Sequence, residues 1–120
     1  DLYPTVAELA GLSYSKNIQG KSLVETLENP NHEVRDMAFS VTQNGETFLL
    51  RTNKWAYIQY GEDASLGIEL FDMQQDPGQY INLALLPEYQ DKVKYFQERL
   101  EQKLLEVRTN DLGLDYTRKP

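Results

Sequence analysis

Apolar and polar residues alternate along the middle of this chain, and near its end they recur every three to four positions. Met37, Phe39 and Val41 share one face of a strand, and Asn44-Gly45 predicts a tight two-residue hairpin turn. Thr47, Leu49 and Arg51 then oppose Phe48, Leu50 and Thr52 on the returning strand. Asn53-Lys54 predicts a second tight connection, after which Trp55, Tyr57 and Gln59 alternate with Ala56, Ile58 and Tyr60. Gly61–Gly67 reads as a polar loop and Ile68–Met73 as a fourth strand. Strands joined this closely form an antiparallel meander, one face of which has to be covered.

The cover is predicted just downstream. From Pro87 to about Arg108 a long helix carries Tyr89, Val93, Phe96, Leu100, Leu104 and Val107 on one stripe. Glu88 and Asp91 sit near its positive end and Lys103 and Arg108 near its negative end, as the helix dipole favours. The fold class is therefore α+β: a four-stranded antiparallel sheet packed by one long C-terminal helix. Two short helices precede it. Leu2, Val6, Leu9 and Ala10 fall on one face of the first, which Asp1 is placed to cap and Gly11 to stop. Ser22 is placed to cap the second, running through Leu27 and ending before Asn29-Pro30. The expected divisions are residues 1–34 as helices and linker, 35–108 as the sheet–helix unit, and 109–120 as an extended tail.

Composition narrows the function. A net charge of −7 over 120 residues, with Lys and Arg scattered, argues against a nucleic-acid binder and against a stand-alone binder of a polyanionic polysaccharide. No cysteine is present, so thiolate metal sites, disulfides and thiol nucleophiles are excluded. Apolar runs are too short to span a bilayer, and no leader opens the chain, so an export signal is expected to lie outside it. His32 is the single histidine, in the polar loop Asn29–Glu33. The 19 acidic residues are dispersed, with Glu62-Asp63 an isolated pair and Asp72 and Asp76 flanking a loop, so no calcium loop is predicted. No phosphate loop and no Gly-x-Ser-x-Gly elbow occurs either.

Five short stretches carry a resemblance. Asp1-Leu2-Tyr3-Pro4-Thr5, Leu9-Ala10-Gly11-Leu12, Gly20-Lys21-Ser22-Leu23 and Leu50-Arg51-Thr52 are followed by Glu69-Leu70-Phe71-Asp72 with Asp76-Pro77 and Asn82-Leu83-Ala84. In this order and spacing they resemble the C-terminal portion of a type I, formylglycine-dependent sulfatase, nearest the iduronate-2-sulfatase-like enzymes. The resemblance implies that the two short helices come from the edge of an alkaline-phosphatase-like α/β catalytic domain, the partner that the remaining chain braces. It also implies a sulfate-ester substrate, a periplasmic, secreted or lysosomal enzyme, and Ca²⁺ and formylglycine in the absent catalytic domain.

No Cys or Ser stands two places before any proline, so the nucleophile motif of those enzymes is missing and this chain alone is expected to be inactive. No catalytic, cofactor-binding or metal residue carries over. His32, Arg35 and Arg51 are the candidates for a rim of the substrate cleft. The alternatives are the C-terminal part of a related phosphonate or phosphate ester hydrolase, and an independent interaction module. Neither a membrane nor nucleic acid is expected as a partner.

Overall fold

The computed structural model describes residues 1–15, 18–42 and 44–109. It has helix α1 (Leu2–Leu9), helix α2 (Val24–Glu28), strands β1 (Ala38–Val41), β2 (Thr47–Arg51), β3 (Trp55–Tyr60) and β4 (Gly67–Asp72), and helix α3 (Gln90–Arg108). A single 3-10 turn, Pro87–Tyr89, leads into α3. The chain divides into two compact units, Met37–Glu106 and the segment Asp1–Asp36 together with the chain from Val107. The extended tail expected over 109–120 lies outside the described residues from position 110 onward.

In the first-named unit the strands pair antiparallel in the order β1-β2-β3-β4, the expected meander. Register sets which side chains share a face. Phe39, Leu50, Tyr57 and Leu70 form one row across all four strands. Phe48, Leu50, Tyr57 and Leu70 are buried with Val93, Phe96, Leu100 and Leu104 of α3 and with Ala84. Tyr57 and Phe96 stack with ring centroids 5.5 Å apart. The helical stripe thus meets the alternating face, and removing each large side chain from water contributes roughly 1.5–3 kcal/mol. On the opposite face the row Ala38, Arg51, Ala56, Phe71 also runs across the sheet, with Ala56 and Phe71 buried.

Two connections differ in kind. Thr52 and Trp55 close a two-residue turn at Asn53-Lys54, as predicted. The first hairpin is longer than predicted. Val41 pairs with Phe48, and the Thr42 N–H donates to the Thr47 carbonyl, so the strands separate before Asn44-Gly45 and the connection is longer than two residues. The Asn44 side chain accepts from the Glu46 N–H while Gly45 takes φ +73°. The Asn44 amide also donates to the Glu46 carboxylate, so its turn-forming bonds serve this wider loop.

The other unit is short helices bound by polar contacts. Gly11 takes φ +67°, with its N–H donating to the Glu8 carbonyl and the Leu12 N–H to that of Ala7. These paired bonds end α1 as the sequence predicts. Asp1 stands at the N-cap but makes no side-chain cap bond. The second helix begins one residue later than expected, with Leu23 at its N-cap; the Ser22 hydroxyl accepts from the Val24 N–H.

Candidate functional site

The Asp1 carboxylate does not cap its helix because two other groups claim it. The Arg35 guanidinium forks onto both its oxygens at 2.7 Å, and the Lys21 N–H donates to one of them at 2.9 Å. Four residues on, the Thr5 hydroxyl donates to the Asp1 carbonyl and accepts from the Leu23 N–H. Gly20 makes this approach possible, since a Cβ there would fall 2.8 Å from the Asp1 nitrogen. Two of the five sequence stretches are therefore halves of one clasp, Asp1 and Thr5 gripping Gly20–Leu23. A bidentate, charge-assisted pair is geometrically specific, which suits it to fixing where α1 sits.

A second clasp holds the segment after β4. The Asp72 carboxylate accepts from the Gln74 and Gln75 N–H groups and lies 3.5 Å from Lys54. Burial of Asp72 raises its pKa, but those N–H donors and the Lys54 ammonium outweigh it and hold the carboxyl below its ordinary value. The Asp76 carboxylate accepts from the Ile81 N–H. Asn82 then ties the returning chain to the sheet: its carbonyl accepts from the Leu70 and Ala84 N–H groups, and its amide donates to the Ile68 carbonyl. In the last sequence stretch Asp72, Asp76 and Asn82 thus anchor backbone.

A third polar group lies inside the sheet–helix unit. The Tyr57 hydroxyl donates to Gln59, whose amide donates to the Gly61 and Glu62 carbonyls. The network fixes the start of the loop between β3 and β4. Burial pushes the Tyr57 phenol up to about 12, a hydrogen bond with Gln97 offsetting part of the rise.

The three predicted rim residues fall in different settings. His32 Nε2 lies 2.9 Å from the Glu25 carboxylate. Arg35 is engaged by Asp1. Arg51, half-buried on the sheet, donates from Nε to the Thr52 carbonyl at 3.2 Å and pairs with no carboxylate among the described residues. His32 and Arg35 belong to one unit and Arg51 to the other, and each of the first two faces its own acid. Among the described residues no group of three His, Cys, Asp or Glu side chains is placed to hold a metal ion. No described helix is long and apolar enough to cross a membrane. Sequence reading missed Asp1 and Thr5 as anchors because the partners that define them lie eighteen to thirty-four residues away.

The sequence profile described as N-sulphoglucosamine sulphohydrolase, C-terminal, matches residues 1–109. Human arylsulfatase K is 35% identical over 97 residues, a match that covers 71% of this chain and 18% of that protein. Among solved structures, a 2-O GAG sulfatase superposes with a TM-score of 0.75 at 25% identity, over 96% of this chain and 26% of its own. The phosphonate monoester hydrolase of Agrobacterium radiobacter shares the fold at a TM-score of 0.69 and 22% identity, over 100% and 28% respectively.

Proposed function

The chain belongs to the N-sulphoglucosamine sulphohydrolase C-terminal family, and from that premise we propose that it works as the bracing subdomain of a longer sulfuric ester hydrolase. The chain spans about a fifth of the arylsulfatase K it matches. One observation carries the bracing role: α1 is turned inside out. It buries Pro4, Thr5 and Ala7, while Leu2, Val6 and Leu9 of its apolar stripe are each more than 60% exposed. A stripe of that kind on a short helix is stable when another surface covers it. The catalytic domain, with its formylglycine and Ca²⁺, is the occupant we assign. Among the described residues no three acidic or histidine side chains are grouped to hold a metal ion, and the part in the reaction that we assign to the chain is to hold position.

The substrate class we propose is a sulfate ester of a saccharide, supported by the 2-O GAG sulfatase among the structural neighbours. The order of the motifs supports an iduronate-2-sulfatase-like preference within that class. His32, Arg35 and Arg51 remain the proposed rim, and Arg51 is the one whose cation no described carboxylate neutralises. A secreted, periplasmic or lysosomal setting follows from the same reading. The phosphonate hydrolase shares the fold alone, and the family match favours the sulfatase.

The test is a charge placed in the stripe. Val6→Asp in the full-length protein is expected to lower its melting temperature and its yield of active enzyme, because it buries an unpaired carboxylate in the seam. In the isolated 120-residue chain the same substitution meets water and should leave the melting temperature within a degree. Equal, negligible effects in both forms would remove the docking role.

A further inference from the structure

The half-buried indole of Trp55 anchors a cluster that neither the clasps nor the docking stripe uses. Lys54 Nζ stands 5.1 Å from its ring centroid. Lys92, in the first turn of α3, places its Nζ 5.7 Å from the same ring and 5.3 Å from the Tyr95 ring. Tyr89 meets the indole edge-on at 6.1 Å. Tyr95 is 45% exposed, yet its ring is braced edge-on against Phe96 at 5.2 Å, and Phe96 is core. Lys54 is tethered to Asp72, whereas Lys92 has no carboxylate partner among the described residues. In a chain with 19 acidic and 12 basic residues, an ammonium held by two rings and left unneutralised is a specific arrangement.

We propose that Lys92, Tyr95 and the Trp55 edge bind one anionic sugar unit of a sulfated saccharide, outside the rim named above. The chemistry has two parts. The rings hold the ammonium in place before a ligand arrives, so a sulfate or carboxylate oxygen accepts a charge-assisted hydrogen bond at little ordering cost. The braced Tyr95 ring offers an apolar face to the C–H face of a pyranose. A nucleic acid would need a basic stripe and a series of stacking rings, whereas Lys and Arg are scattered along this chain. One charged sugar unit matches the Lys92 ammonium, which no described carboxylate pairs. The inference rests on the saccharide-sulfatase reading and adds to it a contact that holds the chain flanking the ester that is cut.

Calorimetric titration of the full-length protein with a heparin-derived tetrasaccharide tests it. The wild type should show a binding event that depends on sulfation, is absent with the desulfated tetrasaccharide, and weakens as salt rises. Lys92→Gln combined with Tyr95→Ala should weaken that event about tenfold or remove it. Lys94→Gln, two residues along α3 and outside the cation–π contacts of these rings, should leave it intact. Unchanged binding in the double variant overturns the proposal. So does a lowered melting temperature with unchanged binding, which would make the patch a domain seam, and so does Lys92-dependent binding of an acidic peptide in place of the saccharide. Turnover of an aryl sulfate by the wild type is scored separately. Its absence would sink the sulfatase reading, while the titration alone judges the patch.

Discussion

The sheet–helix unit and the helical segment that precedes it solve the same problem in opposite ways. Over Met37–Glu106 the apolar positions of the strands and of α3 are buried against one another, with Leu50, Tyr57 and Leu70 fully excluded from water. Over Asp1–Asp36 the cohesion is polar: a forked Arg35–Asp1 pair, a threonine that both donates and accepts, and a backbone approach that only Gly20 permits. The large apolar side chains of α1 stay outside. Hydrophobic burial closes the core between the sheet and α3. Directional hydrogen bonds shape the other unit while the apolar stripe of α1 stays open to water.

The largest expected break in that contrast is Phe96→Ala. Phe96 is buried, stacked on Tyr57 and central to the core, so its truncation should cost ~3–5 kcal/mol. The melting temperature should fall by roughly ten degrees or more. A shift under a degree would show that the sheet and α3 do not share this core.

Raising pH separates the two units more gently. The folded pKa of Tyr57 lies near 12, above its unfolded value of 10.0, so the folded state keeps its proton where the unfolded state loses it. The stability this contributes is complete below pH 10 and is lost as pH rises through about 12. In a phenolate absorbance titration, the Tyr57 phenol should therefore ionise late or together with unfolding. Full ionisation of every tyrosine with the fold intact near pH 10 would contradict the buried network.

The smallest effect belongs to the polar unit. Arg35→Ala removes a pair whose side chains are both partly exposed, and should cost about 0–1 kcal/mol in the isolated chain. Its signature is local: amide exchange at Lys21 and Leu23 should speed up while the β2 and β3 amides stay protected. Uniform loss of protection would mean that the two units unfold as one.

Period-two alternation placed all four strands and period-3.6 spacing placed α3, because both patterns are read against neighbours a few residues away. Asn53-Lys54 was legible for the same reason. The first hairpin was not, since Asn44-Gly45 suits several loop lengths and the pairing of Val41 with Phe48 chose among them. Asp1 read as a helix cap because capping is the local use of an aspartate; Arg35, thirty-four residues on, outcompetes it. The stripe Leu2, Val6, Leu9 was visible in the sequence, but its exposure was not.

By itself the sequence determined the fold class, the rows of side chains that face the core, and the absence of a formylglycine precursor motif. These are matters of residue type and spacing. Only the tertiary structure decided that the Asp1 and Gly20 stretches are one clasp, that Asp72, Asp76 and Asn82 anchor backbone, and that two lysines gather on one indole. Each of these depends on an atom approaching from far along the chain. A hydrogen bond or ring contact is decided within an ångström, a precision that spacing along a sequence does not contain.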